Sequence, residues 1–150
     1  MVEKQLIHQL LKQELENRIS SLKLILAQSF EAVASEDTKS SAGDKHETSV
    51  SMAQLEQEKL TRQINQLLEL EQQFFKIKAD TIHSKIQFGS LIETNNGFLY
   101  VSIGLGKVSN EKYDFYALGP EAPLVKLMIG KKTGDCVEFN GNKTEILQVF

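Results

Sequence analysis

Apolar residues recur near the start of the chain at Ile7, Leu11, Leu15, Ile19, Leu22, Leu26, Phe30 and Val33, in steps of three or four. Such steps keep every one of them on one face of an α-helix. Residues 3–34 contain neither Gly nor Pro. The spacing therefore predicts one uninterrupted helix, roughly 45–50 Å long. Leu6, Leu10, Leu24 and Ile25 widen the stripe, which predicts packing at the base of the helix or against another chain. A second run extends from near Glu47 to near Lys78. In it Ala53, Leu60, Leu67 and Phe74 repeat every seven residues, with Ile64 and Leu68 between them. This is a heptad seam, flanked by Glu, Gln, Lys and Arg on the solvated faces. The polar stretch Ser35–Ser51 separates the two runs. Each stripe needs a partner, and the economical one is the other stripe, folded back as an antiparallel hairpin. Self-association of helices between chains is the competing arrangement.

The pattern changes at Ala79–Lys85. Short alternations, β-branched residues and glycines follow. Ser90–Thr94 and Phe98–Ile103 flank Asn95-Asn96-Gly97, a hairpin signal, and Leu99, Val101, Ile103 and Leu105 are placed on one face. Lys112–Leu118 reads as a third strand. Pro123 opens a short helix with Leu124, Leu127 and Met128 on one side, and Gly130 ends it. Cys136–Asn140 and Thr144–Val149 read as two further strands around Gly141-Asn142. The expected class is α+β: a helical coiled-coil hairpin over 1–78, with an acidic tip near 36–47, and then a small antiparallel β domain with one short helix over 79–150.

Composition narrows the function. The chain has 150 residues and a formal charge of −3. Residues 1–80 carry 10 Lys and Arg against 13 Asp and Glu, and residues 81–150 carry 7 of each. Neither half has the basic excess of an autonomous nucleic-acid binder. No apolar run approaches the ~20 residues that span a bilayer, and the N-terminus lacks the apolar centre of a signal peptide. A cytoplasmic protein with no membrane contact is expected. The single cysteine, Cys136, excludes an intramolecular disulfide and is expected to be buried in a strand.

The enzyme constellations are sparse. Cys136 has no histidine near it in sequence to act as base, and His8, His46 and His83 have no metal-ligand spacing. Gly104-Leu105-Gly106-Lys107 lacks the length and context of a phosphate-binding loop. Asp44 and Glu47, three apart, are the exception. At a helix start their carboxylates project to the same side. They form either a capping box, with Asp44 bonding the N3 amide and Glu47 reaching back, or two hard oxygen donors for a hydrated Mg²⁺. Glu36 and Asp37 add acidity and read as a solvated loop. The segment Pro123–Asp135, PLVKLMIGKKTGD, reads as a helix docked on a sheet followed by a turn back into it, with Lys131 and Lys132 solvated.

Three features together resemble the bacterial Gre transcript-cleavage factors. They are the layout of a helical hairpin followed by a β-rich domain, the Gly43-Asp44-Lys45-His46-Glu47 match to the Gly-Asp-x-x-Glu tip pattern, and PLVKLMIGKKTGD. The last is similar to the family's C-terminal signature of Pro, a small helix, Ile-Gly-Lys and Gly-Asp. The resemblance implies an FKBP-like C-terminal domain without isomerase activity, and a monomer that binds RNA polymerase. It implies a coiled-coil tip inserted in the secondary channel, with nucleic acid met only within the polymerase complex. Asp44 and Glu47 would help hold an Mg²⁺ shared with the polymerase, which then hydrolyses backtracked RNA; the factor is not itself an enzyme. The chain departs from the family at Thr48-Ser49-Val50-Ser51, where Asn-Ala-Glu-Tyr is usual, and at Ser40, where Arg is common. A factor that modulates polymerase without cleavage, and a structural coiled-coil oligomer, are the alternative readings.

Overall fold

The computed structural model describes residues 4–39 and 43–150, with side chains at 4–32 and 50–150. In order, the elements are α1 (Lys4–Lys39), α2 (Gly43–Phe74), β1 (Leu91–Thr94), β2 (Gly97–Val101), β3 (Gly106–Ser109), β4 (Asp114–Leu118), α3 (Pro123–Met128), β5 (Cys136–Phe139) and β6 (Asn142–Val149). The chain forms two compact units. One comprises residues 1–14 and 70–150, and the other residues 15–69.

The second unit is a pair of packed helices. Ile19 of α1 and Leu60 and Ile64 of α2 are buried, as is Gln57, whose Nε2 donates to Ser29 Oγ at 3.3 Å. Towards residue 30 the stripe of α1 opens to solvent, and Phe30 is 55% exposed. Leu24 and Ile25 are exposed as well, while Leu6 and Leu10 are half-buried. Both helices extend further into Ser35–Ser51 than its polarity predicts. Residues 35–39 belong to α1 and 43–51 to α2. Polarity alone does not stop a helix; a stop needs Pro, Gly or a competing side-chain bond.

The other unit is built on a six-stranded sheet of order β3-β4-β2-β1-β6-β5. Its pairs are antiparallel except β2 with β4, which run parallel. The expected antiparallel domain is therefore a mixed sheet. The cause is β3, which the apolar alternation does not reveal. Leaving β2, the chain skips one strand position, runs outward as β3 and turns back, so that β4 fills the gap parallel to β2. Ile103 and Leu105 are buried but lie beyond β2 rather than on its face. Lys112 and Tyr113 belong to the β3–β4 turn, where both backbone N–H groups donate to Asn110 Oδ1 at 2.8 and 2.6 Å. The last hairpin turns at Asn140-Gly141 rather than Gly141-Asn142. Phe139 pairs with Asn142, and φ is 53° and 78° at the two turn residues. This is the left-handed pair of a type I′ turn, which Asn-Gly adopts at low cost.

Alternation along the strands sends side chains to two faces. On one face Ile92, Leu99, Val101, Val137, Ile146 and Val149 form a core with Ile86 and with Val125 and Met128 of α3. Tyr100, on the opposite face, reaches the first turns of α1 and the end of α2, where Ile7, Leu11 and Phe74 are also buried.

Candidate functional site

Asp44 and Glu47, the residues to which the sequence assigns chemistry, both lie in α2 close to its start. Their side chains, with those of Glu36, Asp37 and His46, lie outside the described residues.

The segment Pro123–Asp135 folds as one continuous device. Pro123 sits in the first turn of α3, where its missing N–H costs nothing. Val125 and Met128 bury the inner side of the helix. The C-cap N–H of Ile129 donates to Val125 O at 2.9 Å. Gly130 follows with φ 83°, a left-handed position that favours glycine, and its N–H donates to Ile86 O at 2.8 Å. Ile86 N–H in turn donates to Lys131 O at 2.8 Å, and Lys85 and Lys132 form a single β-bridge. Asp135 Oδ2 accepts the Lys132 N–H at 2.9 Å, and Asp135 O accepts from Ile146 N–H. The motif thus ties α3 to the strand that re-enters the sheet and to the segment that follows α2.

Sequence reasoning missed a set of buried and half-buried polar side chains in the same unit. Lys4 is buried, and its ammonium donates to Thr81 O at 2.6 Å and Phe150 O at 3.2 Å. Burial holds its pKa down to about 8, and the Asp80 carboxylate partly offsets this. His8 stacks on Phe74 at a centroid distance of 4.2 Å, and its Nδ1 lies 2.8 Å from the hydroxyl of buried Tyr100. Burial lowers the pKa of His8, with Lys12 and Lys4 adding to the effect, which favours the neutral ring. Burial also raises the Tyr100 pKa, leaving the phenol protonated. His83 Nδ1 lies 2.7 Å from Ser90 Oγ, which accepts the Gln87 N–H at 3.0 Å. Burial and Lys4 lower the His83 pKa too. Ser90 has no exposed surface, so its hydroxyl cannot meet a substrate, and the His83–Ser90 pair fixes the loop before β1. Only long-range folding brings Lys4 to Thr81 and Phe150, and His8 to Tyr100, so no local spacing could have marked those pairs.

Cys136 is exposed, contrary to expectation. On edge strand β5 Val137 faces inward, and its neighbours in sequence face out. Among the described residues no group of three His, Cys, Asp or Glu side chains could hold a metal, and no helix is long and apolar enough to cross a membrane. An open cavity of about 220 Å³ lies on the α3 side of the sheet, lined by Thr94, Asn96, Leu99, Tyr116, Leu118, Leu124 and Thr144. Its lining includes no carboxylate, imidazole, amine or thiol. No protein-family model and no curated protein matches the chain.

Proposed function

We propose that the protein is a Gre-like transcription factor that binds RNA polymerase and stimulates cleavage of backtracked RNA. The observation that carries this reading is the ordered match of Pro123–Asp135 to the family's C-terminal signature, found in one chain with Gly43-Asp44-x-x-Glu47. The finer assignments come with it. The helix pair is an antiparallel coiled-coil hairpin, the sheet domain is FKBP-like, and the factor acts as a cytoplasmic monomer.

Asp44 and Glu47 supply two hard oxygen donors from one helical face, a donor set that suits Mg²⁺ but leaves most of its coordination to others. When bound, the ion would supply charge stabilisation and an activated water for phosphodiester hydrolysis. The two carboxylates would hold it from the tip side, while the polymerase contributes the remaining ligands and the catalytic apparatus. The net acidity of residues 1–80 fits a tip that carries carboxylates to a metal rather than one that binds RNA by itself.

A second reading keeps the polymerase and removes the cleavage. Thr48-Ser49-Val50-Ser51 replaces the acidic and aromatic residues usual beside the tip, which favours a modulator of the channel. A transcript-cleavage assay on backtracked complexes separates the two. Stimulation by the wild type, falling at least ~100-fold in Asp44→Ala and in Glu47→Ala, supports cleavage. Binding of the wild type without RNA shortening refutes cleavage and leaves the modulator.

A further inference from the structure

We propose that the cavity on the α3 side of the sheet binds a small neutral molecule that joins an apolar ring to one carboxamide. The fold leaves this cavity open for a geometric reason. Thr94 lies two residues beyond Ile92 and Thr144 two before Ile146, so strand alternation puts both threonines on the core face. The helix on that face is short. The six residues of α3 extend about 9 Å, whereas six strands extend roughly 24 Å across. Val125 and Met128 of α3 cover part of the face, and a cavity of about 220 Å³ remains beside them.

Leu99, Leu118, Leu124 and Tyr116 make its apolar wall. Tyr116 is 45% exposed, and an open aromatic ring takes a second ring by offset or edge contact. The polar wall is Thr94, Asn96 and Thr144. Both threonines are more than nine-tenths buried, at 5% and 6% exposed. The Thr94 hydroxyl donates to Gly97 O at 2.7 Å and accepts the Asn96 N–H at 3.1 Å, which fixes the turn that carries Asn96. Asn96 Nδ2 donates to Thr144 Oγ1 at 3.3 Å. Among the described residues neither of these two side chains forms another hydrogen bond. Whichever way the amide is turned, the pair keeps a donor and an acceptor unspent. Unspent capacity on a buried hydroxyl calls for a partner inside the cavity, and a carboxamide offers an acceptor and a donor in one group. No charged side chain lines the cavity, so a bound ion would lose water without gaining a counter-charge. The volume lies below the ~300–1,000 Å³ of drug-sized sites, which limits the ligand to about a dozen non-hydrogen atoms. Nothing in this depends on polymerase binding.

The test is a titration of the full chain with hydrocinnamamide, followed by backbone-amide NMR. Hydrocinnamate and phenylpropylamine keep the shape and add a charge of either sign. Saturable shifts at Asn96, Leu118 and Thr144 are expected for the amide, with a Kd of about 1 mM or tighter. Each ion binds at least about tenfold more weakly. Thr144→Val, which removes the hydroxyl at nearly constant shape, and Tyr116→Ala, which removes the ring, each weaken binding at least about fivefold. Tyr116 is exposed, so its variant decides the matter if Thr144→Val misfolds. The proposal is overturned if the shifts do not saturate by about 20 mM, if either ion binds as tightly as the amide, or if both variants bind it as the wild type does.

Discussion

Two half-buried histidines and a buried lysine lie in the sheet-bearing unit, each with its pKa held down by burial. For a base lowered in the folded state, the unfolded chain binds more protons, so stability falls as the pH drops through the unfolded value. His8 and His83 therefore make the fold lose stability as pH falls below about 6.5, the ordinary histidine value. The loss stops once the pH is below their folded pKa values. Urea unfolding of the wild type and of His8→Gln between pH 7.5 and about 5 should show the variant with the shallower decline; parallel curves would remove His8 from the account. Lys4 acts in another window. With its folded pKa at about 8 against an ordinary 10.5, stability rises as the pH climbs from 8 towards 10.5. Lys4→Met should abolish that rise. Tyr100→Phe, which leaves His8 Nδ1 without its 2.8 Å partner, should cost about 1–2 kcal/mol in denaturant titration.

At the scale of elements, periodicity made the helices legible and partly misled on the strands. The stripe from Ile7 to Ile19 and the seam at Leu60, Ile64 and Phe74 are buried as their spacing predicts. Helix ends were less legible, because Glu, Lys, Asp and Thr tolerate helix as readily as loop, and α1 runs to Lys39. In the sheet, turn chemistry marked the first hairpin, and Pro123 and Gly130 bounded α3. What remained hidden was β3, four residues with a single buried side chain, Val108. Too little alternation there separates a strand from a loop, and without β3 the parallel partner of β2 cannot be foreseen. The candidate tip was legible as a motif and no further. Two element-scale tests follow. Gly141→Val, at a φ of 78°, should destabilise the protein by about 1–2 kcal/mol in thermal unfolding. Met128→Ala, which opens a gap where α3 meets the sheet, should cost about 2–5 kcal/mol.

For the whole molecule, the sheet-bearing unit shows no group of three metal-ligating side chains among its described residues. Its cavity is lined by no carboxylate, imidazole, amine or thiol, and its thiol is exposed on an edge strand. The proposed partner is RNA polymerase. Both forms of the proposal, cleavage factor and modulator, require the same physical event. The most direct measurement is equilibrium binding of the labelled full chain to core RNA polymerase, by anisotropy or analytical ultracentrifugation. The account predicts saturable one-to-one binding with a Kd at or below about 1 μM, little changed by Asp44→Ala. An absence of binding at about 10 μM would contradict it in both forms.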